Sequence, residues 1–152
     1  MNDEESHPEP AATARAARTT LRSLGLKSTG PREIVFRVLS ELEREGRHGT
    51  AEYIYRRLQD AGAAVGPTTV YRILRQFEDA GLVVRHQFAE AAGVYELTPP
   101  QHHDHMVDVD TGRIVEFQDE VIERRQRELA AAHGYDIVRH SLTLYVRARR
   151  VG

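Results

Sequence analysis

Between residues 30 and 81 three stretches carry apolar side chains at helical spacing, and each is closed by a glycine. That punctuation restricts the fold more than any other feature, because short amphipathic helices joined by tight turns must pack their stripes against one another. The first opens with Pro31, suited to a first helical turn, sets Val35, Val38, Leu39 and Leu42 on one face, and ends at Gly46. The second follows Thr50, a good N-cap, turns Ala51, Ile54, Tyr55 and Leu58 inward, and ends at Gly62. The third runs from Gly66-Pro67 through "TTVYRILRQFEDA" to Gly81, with Val70, Ile73, Leu74 and Phe77 as its buried face. An earlier helix is expected over 13–24, stopping at Gly25, after an acidic tail over 1–11 with Asp3, Glu4, Glu5 and Glu9 and little to bury.

Two short apolar stretches follow, "LVVRHQF" and "GVYEL", joined by "AEAAG". They read as a β-hairpin, and helix, turn, helix, hairpin is the layout of a winged helix-turn-helix over 12–97. In that architecture the helix before the hairpin enters the DNA major groove. Here that helix has Thr68, Thr69, Tyr71, Arg72, Arg75 and Gln76 on the faces not needed for a core, a set suited to phosphate and base-edge contacts.

The pattern changes after "TPPQ", a stiff connector at 98–101. "HDHMVDV" and "GRIVEF" read as two strands joined through "DTG", Asp119 opens a helix that ends at Gly134, and 135–149 reads as a last strand alternating His140, Leu142, Leu144 and Val146 with Ser141, Thr143, Tyr145 and Arg147. The expected fold class is therefore α+β, an N-terminal winged helix followed by a small α/β dimerisation domain over 102–152. About 50 residues with exposed sheet edges bury little surface alone, which points to a homodimer.

The run His102, His103, Asp104, His105 is unusual for a structural segment. On an extended chain successive side chains face opposite ways, so His103 and His105 share one side and His102 and Asp104 the other. One tetrapeptide thus serves two ligand sets. Each set lacks further ligands, and the candidates are Glu116, a carboxylate inside an apolar strand; Glu123, one turn into the following helix; His140, on the inward face of the last strand; Glu96, at the end of the hairpin; and His48, in a loop. His86 and His133 read as structural.

Cysteine is absent, which excludes disulfides, thiolate nucleophiles and Cys-type structural zinc. Nitrogen and oxygen ligands favour Fe(II), Mn(II), Co(II) or Zn(II) over soft Cu(I). Net charge is -2, yet residues 12–97 hold 13 Lys and Arg against 10 Asp and Glu, a mild preference for polyanions once the acidic tail is set aside. No apolar run spans a bilayer and the N-terminus has no signal-peptide pattern, so a soluble cytoplasmic protein with no membrane partner is expected.

The segments "GLKSTGPRE", "TAEYIYRRL", "TTVYRILRQFEDAGLV", "HHDHMVDVDTG", "RIVEF" and "HSLTLYVR" together resemble the ferric uptake regulator family of bacterial metal-responsive repressors, over about residues 21–149. The resemblance implies a homodimer, possibly assembling further, that binds double-stranded operator DNA with Fe(II) as corepressor and controls iron-uptake genes; Mn(II), Zn(II) or Co(II) could substitute in vitro. It implies a sensing site between the domains formed by His48, Glu96, His103, His105 and Glu116, and a second site formed by His102, Asp104, Glu123 and His140. For DNA it points to Tyr71 and Arg72, with Thr69 beside them on the recognition helix, and to Lys27 and Arg32 as basic contacts to the minor groove or backbone. Many members carry a C-x-x-C pair where this chain has Asp108 and Thr111, so that structural zinc site is expected to be absent. A manganese-responsive regulator is the closest competing reading. A metal-dependent hydrolase would need an open coordination position and a general base in a pocket, and simple metal storage would need no DNA-reading module.

Overall fold

The computed structural model describes residues 10–149. Elements follow in the order α1 (Pro10–Ser23), α2 (Gly30–Arg44), β1 (Gly49–Thr50), α3 (Ala51–Asp60), α4 (Pro67–Asp79), β2 (Val83–His86), β3 (Val94–Leu97), β4 (Asp104–Asp108), β5 (Ile114–Phe117), α5 (Glu120–Ala132) and β6 (Thr143–Val146). The chain divides into two compact units that meet at Pro99 and Pro100.

In the first unit the stripes form one core. Val35, Leu39 and Leu42 of α2, Ile54 and Leu58 of α3, and Val70, Ile73, Leu74 and Phe77 of α4 are buried together with Ala17 and Leu21 of α1. Local chemistry sets the helix starts: Pro31 and Pro67 occupy first-turn positions, and the Thr50 hydroxyl accepts from the Tyr53 N–H. β2 and β3 pair antiparallel, Val83 with Leu97 and His86 with Val94, and β1 adds to the far edge of β3, giving the order β1-β3-β2. Val83, Tyr95 and Leu97 turn toward the helical core, while Val84, His86, Val94 and Glu96 share the other face.

Two expectations for this unit are corrected, and one short strand goes unsignalled in the sequence. Helix α1 starts at Pro10, so Pro10 and Ala11 are helical rather than part of a tail; Met1 to Glu9 lie outside the described residues. The hairpin strands are shorter than the apolar runs, because the ladder closes at Val83–His86 and Val94–Leu97. The loop holding His48 runs directly into a strand, β1, too short at two residues to leave a period in the sequence.

The second unit is a sheet of order β5-β4-β6 with α5 connecting β5 to β6. β4 pairs antiparallel with β5 and parallel with β6. Asp119 caps α5, its Oδ1 accepting from the Val121 and Ile122 N–H groups. Here the sequence overstates the strands. β4 begins at Asp104 rather than at His103, and β6 covers only Thr143–Val146, so residues 135–142 are not strand and His140 precedes it. A strand extends only as far as a neighbour supplies backbone partners, and β4 offers partners from His105 to Asp108. Just ahead of the ladder the Leu142 N–H goes instead to the Asp104 carboxylate, 3.1 Å away.

Candidate metal centres and nucleic-acid face

In the first unit Glu96 is the focus. It lies on β3, the central strand, and the β1–β3 register of Gly49 with Tyr95, continued by one residue, sets His48 opposite it. His48 Nε2 is 2.8 Å from Glu96 Oε2, and His86 Nε2 is 2.6 Å from Oε1. The carboxylate is 11 % exposed and the His48 ring 3 %. Burial alone would push the Glu96 carboxyl up, but hydrogen bonds from His48 and His86 and their charge oppose this and hold it well below the usual carboxylate range. Gly49 packs closely beside His48: a Cβ there would meet Leu42 Cδ1 at 2.8 Å, so that buried side chain would have to shift.

In the second unit the alternation of the tetrapeptide appears directly. On one side, the His103 and His105 rings stand edge to face with centroids 5.0 Å apart; His105 is the register partner of Glu116, and His103 Nε2 lies 3.5 Å from Glu116 Oε1. On the other, His102 Nε2 is 2.9 Å from Asp104 Oδ1 and its ring is 4.0 Å from that of His140. His102, Asp104 and His140 each offer a ligand atom, all within 4.8 Å of one another. Asp104, only 2 % exposed, also accepts from the Leu142 N–H, so the carboxylate that joins this cluster anchors the backbone two residues after His140. Glu123 stands outside the triad but lines one cleft of about 380 Å³ with His140, Tyr135 and Asp136.

The donor chemistry fits a divalent cation. His140 Nε2 and Glu123 Oε1 are buried with no hydrogen-bond partner, a costly state for polar atoms unless a cation or water satisfies them. All donors are imidazole nitrogens or carboxylate oxygens, as first-row divalent ions accept. Asp108 and Thr111 belong to a closed turn, Asp108 Oδ1 accepting from the Asp110 N–H and Oδ2 from the Thr111 hydroxyl. Those bonds, the Asp110 N–H first, hold the Asp108 carboxyl below its usual range.

On α4, Thr68, Tyr71, Arg72 and Arg75 are exposed, Tyr71 by 54 %, and Thr69 is half-buried. Lys27 is exposed ahead of α2. Arg32 is engaged within the protein: Nε and Nη2 donate to Gln76 Oε1 at 3.3 and 2.9 Å, and Nη1 donates to the Lys27 carbonyl at 2.7 Å. It ties the start of α2 to α4. Gln76, which the sequence offers only as one more polar residue, is its partner, and nothing in helical spacing signals a bond across 44 residues.

A family model described as "Ferric uptake regulator family" matches residues 23–145. The chain belongs to that family. It is 50% identical over 130 residues to the ferric uptake regulation protein of Pseudomonas aeruginosa, covering 86% of this chain and 96% of that one. Among solved structures it is similar to the Vibrio cholerae ferric uptake regulator, with TM-score 0.77 and 44% identity over 86% of this chain and 98% of that one. It is also similar to the Pseudomonas aeruginosa ferric uptake regulator described with manganese, with TM-score 0.76 and 47% identity over 88% and 98%. The family is one of metal-sensing transcriptional repressors, and the winged helix-turn-helix followed by a small α/β unit is its fold. Among the described residues no helix is long and apolar enough to cross a membrane.

Proposed function

We propose that the chain is a cytoplasmic, homodimeric repressor that binds operator DNA when loaded with Fe(II), and that its role is regulatory rather than catalytic. The observation that carries this reading is the division of labour within one tetrapeptide, where His103 and His105 join Glu116 while His102 and Asp104 join His140. His48 and Glu96, held together on the winged-helix unit, are two ligands in search of more, and His103, His105 and Glu116 are three. We assign these five to one sensing ion. His102, Asp104, His140 and Glu123 form the second, mainly structural set.

A divalent cation in the sensing set supplies positive charge that two carboxylates and three imidazoles share. The chain's own residues do the rest. Because ligands come from both units, the arrangement in which all five can act together is favoured over every other when the ion is present. In a dimer that selection sets the spacing of two recognition helices to the half-sites of a pseudopalindrome, with Thr69, Tyr71 and Arg72 toward the bases and Lys27 toward the phosphates. Arg32 contributes by holding α4 through Gln76.

The test is operator binding measured without oxygen against buffered Fe(II), Mn(II) and Zn(II). Fe(II) should raise affinity at the lowest free concentration, and His105→Ala should abolish that response with the dimer intact; operator affinity independent of metal would sink the proposal. A stronger response to Mn(II) would support a manganese-responsive regulator instead.

A further inference from the structure

We propose that His86 is a positioning residue that orients Glu96 for metal binding, an inference that rests on Glu96 being a ligand of the sensing ion. The geometry within the first unit separates the two imidazoles that meet this carboxylate. His48 approaches Oε2 from the β1 side and His86 approaches Oε1 from β2, so the two rings take different oxygens of one group. Both contacts use Nε2, and a carboxylate oxygen only accepts, so a ring that holds Glu96 by a hydrogen bond does so by keeping a proton on that atom. A ring that gives up that proton can ligate; a ring that keeps it can only hold the carboxylate still.

His86 is built for the second task. It pairs with Val94, diagonal to Glu96 on the same face of the hairpin, and its ring lies nearly parallel to that of Phe88, 7° between planes and 5.7 Å between centroids. Phe88 is 6 % exposed. A buried aromatic backing fixes the imidazole plane, the imidazole fixes Oε1, and a Glu side chain that would otherwise sample many rotamers presents its remaining lone pairs in one direction. Hydrogen-bond partners behind a ligand typically change metal affinity by about 10- to 100-fold. Hairpin register, rather than residue type, reveals the pair: 86 and 96 share a face only because Val84 pairs with Glu96 and His86 with Val94.

Co(II) titration of the full-length protein, read by its visible absorption bands, tests this. The binding step lost in His48→Ala is the one to follow. His86→Leu should weaken that step about 10- to 100-fold with the same bands at saturation, His86→Gln, which keeps an N–H donor, should recover most of the loss, and Phe88→Leu should give a smaller loss. In metal-free protein the long-range imidazole ¹H–¹⁵N spectrum should show His86 protonated at Nε2, with that signal lost in Glu96→Ala. Unchanged Co(II) affinity in His86→Leu, or altered band positions that would make His86 a ligand itself, overturns the inference while leaving the proposed function standing. Should His86→Leu not fold, Phe88→Leu and His86→Gln decide: wild-type affinity in the first together with a full loss in the second overturns it. If His48→Ala and Glu96→Ala both bind Co(II) as the wild type does, the sensing site itself fails and this inference with it.

Discussion

The two units solve the same problem of cohesion with different materials. The first buries large side chains from four helices, among them Phe77, Leu74, Leu39 and Leu21. The second buries no residue of α5, and among its described residues the buried side chains are Asp104 and His105, both polar. Meanwhile Val121, Leu129, Leu144 and Tyr145 are exposed. On the proposed reading, a unit held by sheet hydrogen bonds and a polar cluster, with its apolar residues facing out, draws stability from what it binds: ions at the cluster and a second copy of the chain on the apolar side chains. The first unit has an apolar core of its own.

Emptying the core of the first unit should do the most damage. Phe77→Ala removes a fully buried ring and should cost about 3–5 kcal/mol in urea unfolding, independent of metal and of protein concentration. The second unit should respond to a surface change that would be neutral in the first: Leu129→Lys should weaken the dimer by about 1.5–3 kcal/mol, seen as a roughly 10- to 100-fold larger dissociation constant in sedimentation, with amide exchange in α4 unaltered. If Leu129→Lys leaves the dimer constant unchanged, the contrast between the units is overdrawn. The smallest expected effect sharpens the boundary between stability and function. Gln76→Ala frees Arg32 and should lower operator affinity by a few-fold, about 0.5–1.5 kcal/mol, at unchanged metal affinity; an increase in DNA affinity would mean that the freed guanidinium is worth more as a contact than as a brace.

The same contrast governs how much could be read in advance. In the first unit the stripe of α4 is buried as its spacing predicts, because a helix that packs on a core must put Val70, Ile73, Leu74 and Phe77 on one side. In the second unit alternation over 135–149 overestimates the last strand, since period two reports extended chain but not the length of the neighbour that β6 needs. The candidate site divides likewise. The pairs His103 with His105 and His102 with Asp104 stand in contact, although only Asp104 and His105 of the tetrapeptide belong to β4. What Asp104 does for Leu142, Gln76 for Arg32 and His86 for Glu96 depends on register or on contacts between distant segments, which carry no local signal.

The turn at Asp108–Thr111 has a consequence for handling the protein. Its closure is internal, Asp108 gripping the Asp110 amide and the Thr111 hydroxyl, with Arg147 reaching Asp110 from beyond β6. A chelator cannot strip such a fastening, and an oxidant finds no thiol in it. Prolonged dialysis against a strong sequestering agent should therefore yield an apoprotein whose β4–β5 tip keeps its shape, so that loss of signalling and loss of structure become separable events.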